Sequence, residues 1–335
     1  MTKEIKPKAT LSLFCAGGGG INLGSHFENA EVRDGQATLE VTYVDTSMSN
    51  LHNGIDRKRA AIIEGVDGSG KVRKENAGVI SESIKKILLD HPPGDLSIVV
   101  YTGIGGSGSV FGPLLHSELL SRGDQVISII IGGEESAMAT DNTVDTLKTL
   151  DAISQKRGKN VVFAYQHNDP NTTRSEVDAH VHTTIASLAV LASRQNDELD
   201  TRDIYNWINF SEIDRLDFEP ALVRLRVFDH DSAVEGAQDY DVISVASLLN
   251  SPSVSPPGWH PDYSATGYCN LKAITGEEQE GLHYLLTHDV DKIYNYIAEV
   301  QSKIQERKSA RKRRKNATPI KAKRMTTAWC CKLTE

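Results

Sequence analysis

Five short apolar runs constrain what this 335-residue chain can fold into. They are "ATLSLFCA" (9–16), "TLEVTYVD" (38–45), "LSIVVYTG" (96–103), "QVISIIIGG" (125–133) and "NVVFAYQH" (160–167). Each is β-branched and mostly apolar without strict alternation, as strands buried on both faces of a parallel sheet are. Helix-like stretches lie between them, among them Ala77–Asp90, stopped by "HPPGD", and 112–122. This alternation predicts repeated βα units of an α/β, Rossmann-like fold.

A long helix follows over 175–195. Val177, Val181, Ile185, Leu188 and Leu191 form one apolar stripe on it. After about Trp207 the pattern changes. "ALVRLRVF" (221–228) and "GYCNLKAI" (267–274) alternate like half-exposed strands across the loop "NSPSVSPPGWHP", which predicts a smaller mixed domain. From 276 to about 315 the pattern is helical.

No stretch approaches the roughly 20 apolar residues of a membrane helix. "MTKEIKPKAT" lacks the apolar core of a signal peptide, so a cytoplasmic protein without membrane contact is expected. Cys15, Cys269, Cys330 and Cys331 form no CxxC pair and have no zinc-spaced His partner. Cys15 reads as a buried thiol in a strand, and the vicinal pair lies in the tail. His180 and His182 point to different faces of a helix, not to one metal. The net charge of −8 is uneven: ten of the 37 Lys and Arg fall between Arg307 and Arg324, leaving 27 bases against 45 acids, or −18, elsewhere. An acidic body with a basic tail admits three partners for that tail: nucleic acid, an acidic surface on another copy, or solvent alone.

Three glycine loops carry the chemistry. "FCAGGGGINLGSHF" follows a strand and opens a helix, with Gly18, Gly20 and Gly24 spaced as GxGxxxG and Asp45 ending the next long strand. Taken alone this suggests a dinucleotide site, hence an NAD(P)-dependent oxidoreductase. "GVDGSGK" (65–71) fits a P-loop's GxxxxGK, but Val72 stands where Ser or Thr must hold magnesium, so a P-loop NTPase is rejected although the segment remains near phosphate. "YTGIGGSGSVFGP" (101–113) packs glycines and small hydroxyls between a strand and a helix, an anion nest backed by a helix N-terminus. Two such cradles in one chain suggest a polyphosphate gripped from several loops.

Taken together these residues resemble the tubulin/FtsZ superfamily, and within it the PhuZ-type phage-encoded tubulins. "GIGGSGS" is similar to that family's phosphate loop, "AGGGGINLG" to its first nucleotide loop, and "VDTS" and "GVDGSGKVRKEN" fall where its other phosphate loops fall. "NDELDTRDIYNWI" resembles the loop that inserts into the neighbouring subunit's nucleotide, with acids as D-x-x-D at Asp200 and Asp203. Asp178 precedes Asp200 by 22 residues, the family's spacing for a guanine-reading aspartate. The resemblance runs from residue 9 to about 210 and departs at Glu198, where FtsZ has Asn, and in the basic tail, where the family is acidic.

The resemblance implies a filament-forming GTPase that binds GTP or GDP with Mg2+ and hydrolyses GTP between head-to-tail copies of itself. It would be a phage cytoskeletal protein positioning phage DNA in the host cytoplasm. The implied nucleotide-binding residues are Gly17, Gly18, Gly19, Gly20, Asn22, Asp45, Gly105, Gly106, Ser107, Gly108, Ser109, Asn142, Asn168 and Asp178. Asp200 and Asp203 are the implied catalytic pair, supplied by the neighbouring subunit. The implied organisation is a GTP-binding domain (1–174), a central helix (175–197), a catalytic loop and activation domain (198–275), a C-terminal helix (276–315) and a tail (316–335) that would contact a neighbour. The plainer alternatives are capping of the helix at "DIYNWI" by Asp200 and Asp203, with Asp203 a plausible N-cap on local grounds, a solvated Asp178, and solvated Glu134 and Glu135 instead of ribose contacts. A non-hydrolysing scaffold filament is the remaining rival.

Overall fold

The computed structural model describes residues 9–28, 35–216, 218–236 and 240–317. Ten strands form one continuous sheet: β1 (Thr10–Ala16), β2 (Thr38–Asp45), β3 (Ala60–Ile62), β4 (Leu96–Thr102), β5 (Val126–Gly133), β6 (Val161–Asn168), β7 (Leu222–Asp229), β8 (Val242–Leu249), β9 (Tyr263–Tyr268) and β10 (Gly281–Thr287). The order is β3-β2-β1-β4-β5-β6-β7-β10-β8-β9. The first seven in that order pair in parallel, β10 runs antiparallel to both β7 and β8, and β9 is parallel to β8.

The helices are α1 (Gly17–Gly24), α2 (Ala77–Asp90), α3 (Gly108–Arg122), α4 (Ala137–Arg157), α5 (Arg174–Leu191), α6 (Thr201–Ile208), α7 (His230–Gly236), α8 (Leu271–Thr275) and α9 (Val290–Ala317). They cover both faces of the parallel half, and so its strands are apolar throughout. Within β1, Leu11, Leu13 and Cys15 join the core under α1 and α5, while Phe14 and Ala16 join the core under α2, α3 and α4. The α5 stripe of Val177, Val181, Ile185, Leu188 and Leu191 is buried in full. At about 1.5–3 kcal/mol for each buried aliphatic side chain, this face fixes α5 beneath the sheet.

Several expectations need correction. The helix expected over 112–122 begins four residues earlier, because the glycines and serines of its loop supply its first turn. "GYCNLKAI" is not a strand over its length: β9 ends at Tyr268, and the Asn270 side chain accepts a hydrogen bond from Ala273 N to start α8, which Gly276 closes at φ 84. The helical stretch expected from 276 contains β10, buried at every residue, before α9 begins at Val290. β8 was not anticipated. Cys15 is buried and free as expected, while Cys330, Cys331 and the tail from 318 lie outside the described residues. Among the described residues no helix is long and apolar enough to cross a membrane.

Candidate functional site

Strand order reverses between β1 and β4, and open α/β sheets bind ligands at the carboxyl ends of the strands flanking such a point. There α1 starts directly after β1 and α3 after the β4 loop. Neither helix start is capped by a side chain: the residues preceding them, Ala16 and Ser107, make no capping hydrogen bond. By contrast the side chains of Ser136, Thr173 and Asp200 cap α4, α5 and α6. The first N–H groups of a helix want an acceptor and carry the positive end of its dipole. Two such ends therefore meet at a cavity of about 350 Å³, to which Gly18, Gly19 and Gly105 contribute.

The remaining expected glycines build the cradle from behind. Gly17 holds φ 70, and a Cβ there would sit 2.6 Å from Gly108 N; one on Gly108 would sit 2.8 Å from Ala16 O. A Cβ on Gly20 would lie 2.4 Å from Val100 O, and one on Gly106 would strike the Ser69 hydroxyl. These glycines let three loops touch backbone to backbone, whereas Gly105 has only Thr102 Oγ1 nearby, at 3.4 Å.

The expected serines face inward. Ser107 Oγ lies 2.7 Å from Thr46 Oγ1 and 3.2 Å from Ser69 Oγ, linking the loops after β2, β3 and β4. The fully buried Ser109 hydroxyl donates to the carbonyls of Gly105 and Gly106. Both hydroxyls thus hold the loop in shape. Asp45 is 1% exposed; Thr46 N donates to its Oδ1 and Asn50 Nδ2 to its Oδ2, each at 2.7 Å. Burial pushes its carboxyl upward in pKa, and these donors oppose that. Its oxygens are thus committed to the loop after β2, and it does not reach out as the ribose acid of a dinucleotide site would. Asn142 on α4 is also buried, donating Nδ2 to Lys71 O at 2.9 Å and Ile104 O at 3.0 Å.

A proline explains another link. Pro113, inside α3, has no N–H for the Ser109 carbonyl one turn earlier. Arg73 takes its place, donating to Ser109 O at 2.7 Å and to Thr146 Oγ1 at 2.6 Å. The loop carrying "GSGK" is thereby bound to α3 and α4.

Polar side chains complete the lining of the cavity. Asn22 on α1, Asn168 at the end of β6 and Asp178 on α5 line it, as does Arg174, whose guanidinium pairs with Asp178 at 3.6 Å. Lys71 and Glu135 also line the cavity, joined by an ion pair of 2.6 Å. Lys71 and Arg174 were not singled out by the sequence. The only trace of Lys71 was the imperfect P-loop pattern, and Arg174 stands out only once α5 is seen to start at the cavity. Glu134 lies beside Tyr296 of α9.

Asp200 and Asp203 are elsewhere. They form a reciprocal capping box: Asp200 Oδ1 accepts from Asp203 N at 3.0 Å, and Asp203 Oδ2 accepts from Asp200 N at 3.0 Å. Both acids thus cap the helix, Asp200 as the N-cap residue and Asp203 as its partner three positions on, as the plainer reading expects. Tyr263 on β9 donates to Asp203 Oδ1 at 3.2 Å, and α6 packs against β8 and β9. Neither acid lines the cavity of its own chain.

Among the described residues no three His, Cys, Asp or Glu side chains converge on a metal position. The two carboxylates of the cavity, Glu135 and Asp178, already face cations. The described residues therefore offer no ready-made cage for a divalent ion.

No family model matches the chain. A phage tubulin-like protein of Pseudomonas phage phiKZ is 31% identical over 258 residues, covering 73% of this chain and 75% of that protein. Among solved structures, a protofilament of TubZ from bacteriophage PhiKZ superposes with a TM-score of 0.81 at 28% identity, over 89% of this chain and 92% of that one. The phage tubulin PhuZ with GDP superposes with a TM-score of 0.80 at 24% identity, over 90% of this chain and 92% of that one.

Proposed function

The chain belongs to the phage tubulin-like family, and from that premise we propose that it is a filament-forming GTPase whose active site is completed by a second copy. The observation that carries this reading is the separation within one chain of an uncapped, glycine-built cradle and a pair of acids that lie outside it.

Backbone amides at the starts of α1 and α3 bind the phosphates, and Gly18, Gly19 and Gly105 let them approach. Gly106, Ser107, Gly108 and Ser109 hold the loop in shape, with Asn142 and Asp45 fixing the loops on either side. Asn22, Asn168 and Asp178 read the sugar and base, a carboxylate being able to accept both N–H groups of the guanine edge. Asp178 exchanges its Arg174 partner for the base when nucleotide enters. Asp200 and Asp203 of the adjoining copy orient the attacking water. Phosphoryl transfer draws most of its catalysis from such positioning and from charge stabilisation. Among the described residues no side-chain cage would hold magnesium, which, bound with the nucleotide, would supply neutralisation of phosphate charge. Head-to-tail stacking follows, because neither copy alone owns both parts. The protofilament of a 28% identical neighbour supports this arrangement, and the buried, committed Asp45 disfavours the NAD(P) reading.

Light scattering with GTP, GDP and a slowly hydrolysed analogue, read together with phosphate release, tests the proposal. Assembly with GTP and with the analogue, and phosphate release with GTP alone, is expected. Assembly indifferent to the nucleotide, without phosphate release, would leave the scaffold reading standing instead.

A further inference from the structure

Two cations line the cavity, and they are held differently. Arg174 pairs with a residue four positions along its own helix, whereas Lys71 reaches from the β3–α2 loop to Glu135, just beyond β5. The Lys71 backbone is tightly placed. It takes φ 66, a left-handed conformation unfavourable for a residue with a side chain. Its carbonyl accepts from Asn142, which binds the Ile104 carbonyl of the phosphate loop through the same nitrogen. A Cβ on Gly106 would come 3.0 Å from the Lys71 carbonyl carbon, so the Lys71 backbone lies against the loop that opens α3. Its ion pair gives little in return: the two side chains are 53% and 43% exposed, and pairs this open add little to stability. The geometry thus anchors the Lys71 backbone against the glycine loop and leaves its half-exposed side chain on the cavity lining, with a weak partner it can exchange.

We infer that Lys71 determines specificity for the triphosphate, by leaving Glu135 to bind the terminal phosphate. This deepens the guanine-nucleotide reading on which it rests. A terminal phosphate offers more negative charge and more acceptor oxygens than a carboxylate, and an ammonium makes charge-assisted bonds to it without a fixed orientation. A diphosphate lacks that group and leaves Lys71 on Glu135. Glu135 then has a second effect, because it competes for the lysine and sets a threshold that only the triphosphate passes.

The test is calorimetric titration of GDP and of a slowly hydrolysed GTP analogue into wild type, Lys71→Gln, Lys71→Arg and Glu135→Gln. Lys71→Gln should lose about tenfold in affinity for the triphosphate, the loss of one charge-assisted contact. Its GDP affinity should stay within about twofold of wild type, which also shows that the cradle is folded. Lys71→Arg should recover most of the loss, and Glu135→Gln should bind the triphosphate more tightly than wild type. Equal weakening of both nucleotides by Lys71→Gln, or weakening of neither, overturns the inference while leaving the guanine-nucleotide reading intact. A wild-type protein that binds neither nucleotide overturns both.

Discussion

Two helix starts in the parallel half of the sheet and one in the mixed half are finished in opposite ways. In the parallel half, α1 and α3 begin on glycine and serine with no side-chain cap. In the mixed half, α6 begins with a box in which Asp200 and Asp203 each satisfy the other's backbone N–H. An open helix start is an unfinished structure that an anion completes, whereas a closed one is stable as it stands. On the proposed reading, the open starts of the first half receive phosphate. The second holds its two acids in a fixed geometry on an exposed helix end, where they can be presented to another molecule.

Separating the two roles of the acids should give the largest effect. Asp203→Asn keeps an oxygen for Asp200 N, so stability should stay within about 0.5 kcal/mol while GTP turnover falls at least about a hundredfold. Asp203→Ala should lose turnover to the same degree and about 1 kcal/mol of stability besides. An Asp203→Asn protein that hydrolyses normally would reduce the pair to a cap.

The cradle makes its own distinction. Gly17→Ala must fit a methyl at 2.6 Å from Gly108 N with φ 70, and Gly108→Ala one at 2.8 Å from Ala16 O. Each should cost about 2–4 kcal/mol in chemical denaturation. Gly105→Ala meets only a hydroxyl at 3.4 Å, and it should instead weaken nucleotide binding with less than about 1 kcal/mol lost.

Acid should strain both halves alike. Burial lowers His116 on α3 to a pKa of about 3, and burial and then the neighbouring His230 lower His283 on β10 to about 4. His116 contacts Ser128 Oγ at 2.9 Å, and His283 lies between Ser247 Oγ at 2.8 Å and His230 at 3.1 Å. The unfolded chain binds these protons near pH 6.5 and the folded one does not, so stability is complete above about 6.5 and declines as pH falls toward 4. Each histidine should cost about 2 kcal/mol by pH 5, and His116→Leu should remove its share of the slope. A thermal midpoint that is flat from pH 7 to 5 would contradict this.

The smallest effect belongs to the loop before the acids. Glu198 holds φ 80, a conformation that Gly or Asn adopts at less cost. Glu198→Gly should raise stability by about 0.5–1 kcal/mol without altering the cradle's affinity for GDP. This backbone angle also gives a physical reason for the Asn that FtsZ proteins have there.

How much was legible in the sequence differs between the halves for the same physical reason. Strands covered on both faces by helices need unbroken apolar runs, and so β1, β2, β4, β5 and β6 could be read directly. β8 and β10 are buried too, but they lie in a half where strands pair antiparallel and short helices intervene. "GLHYLLT" beside a long helical pattern gave no sign of where the helix would start. In the site, the glycine loops were legible because close backbone contact demands glycine. The inward direction of Ser107, Ser109 and Asp45 was not, because hydroxyls and carboxylates serve a loop's own amides as readily as a ligand. Lys71 and Arg174 reach the cavity only through tertiary placement, which local patterns do not encode.

Turnover per subunit as a function of protein concentration, with the assembly state followed in the same samples, tests the shared site most directly. Turnover should be close to zero where the protein is monomeric and rise as copies stack. A rate per subunit that is unchanged on dilution into demonstrated monomers would contradict the shared site.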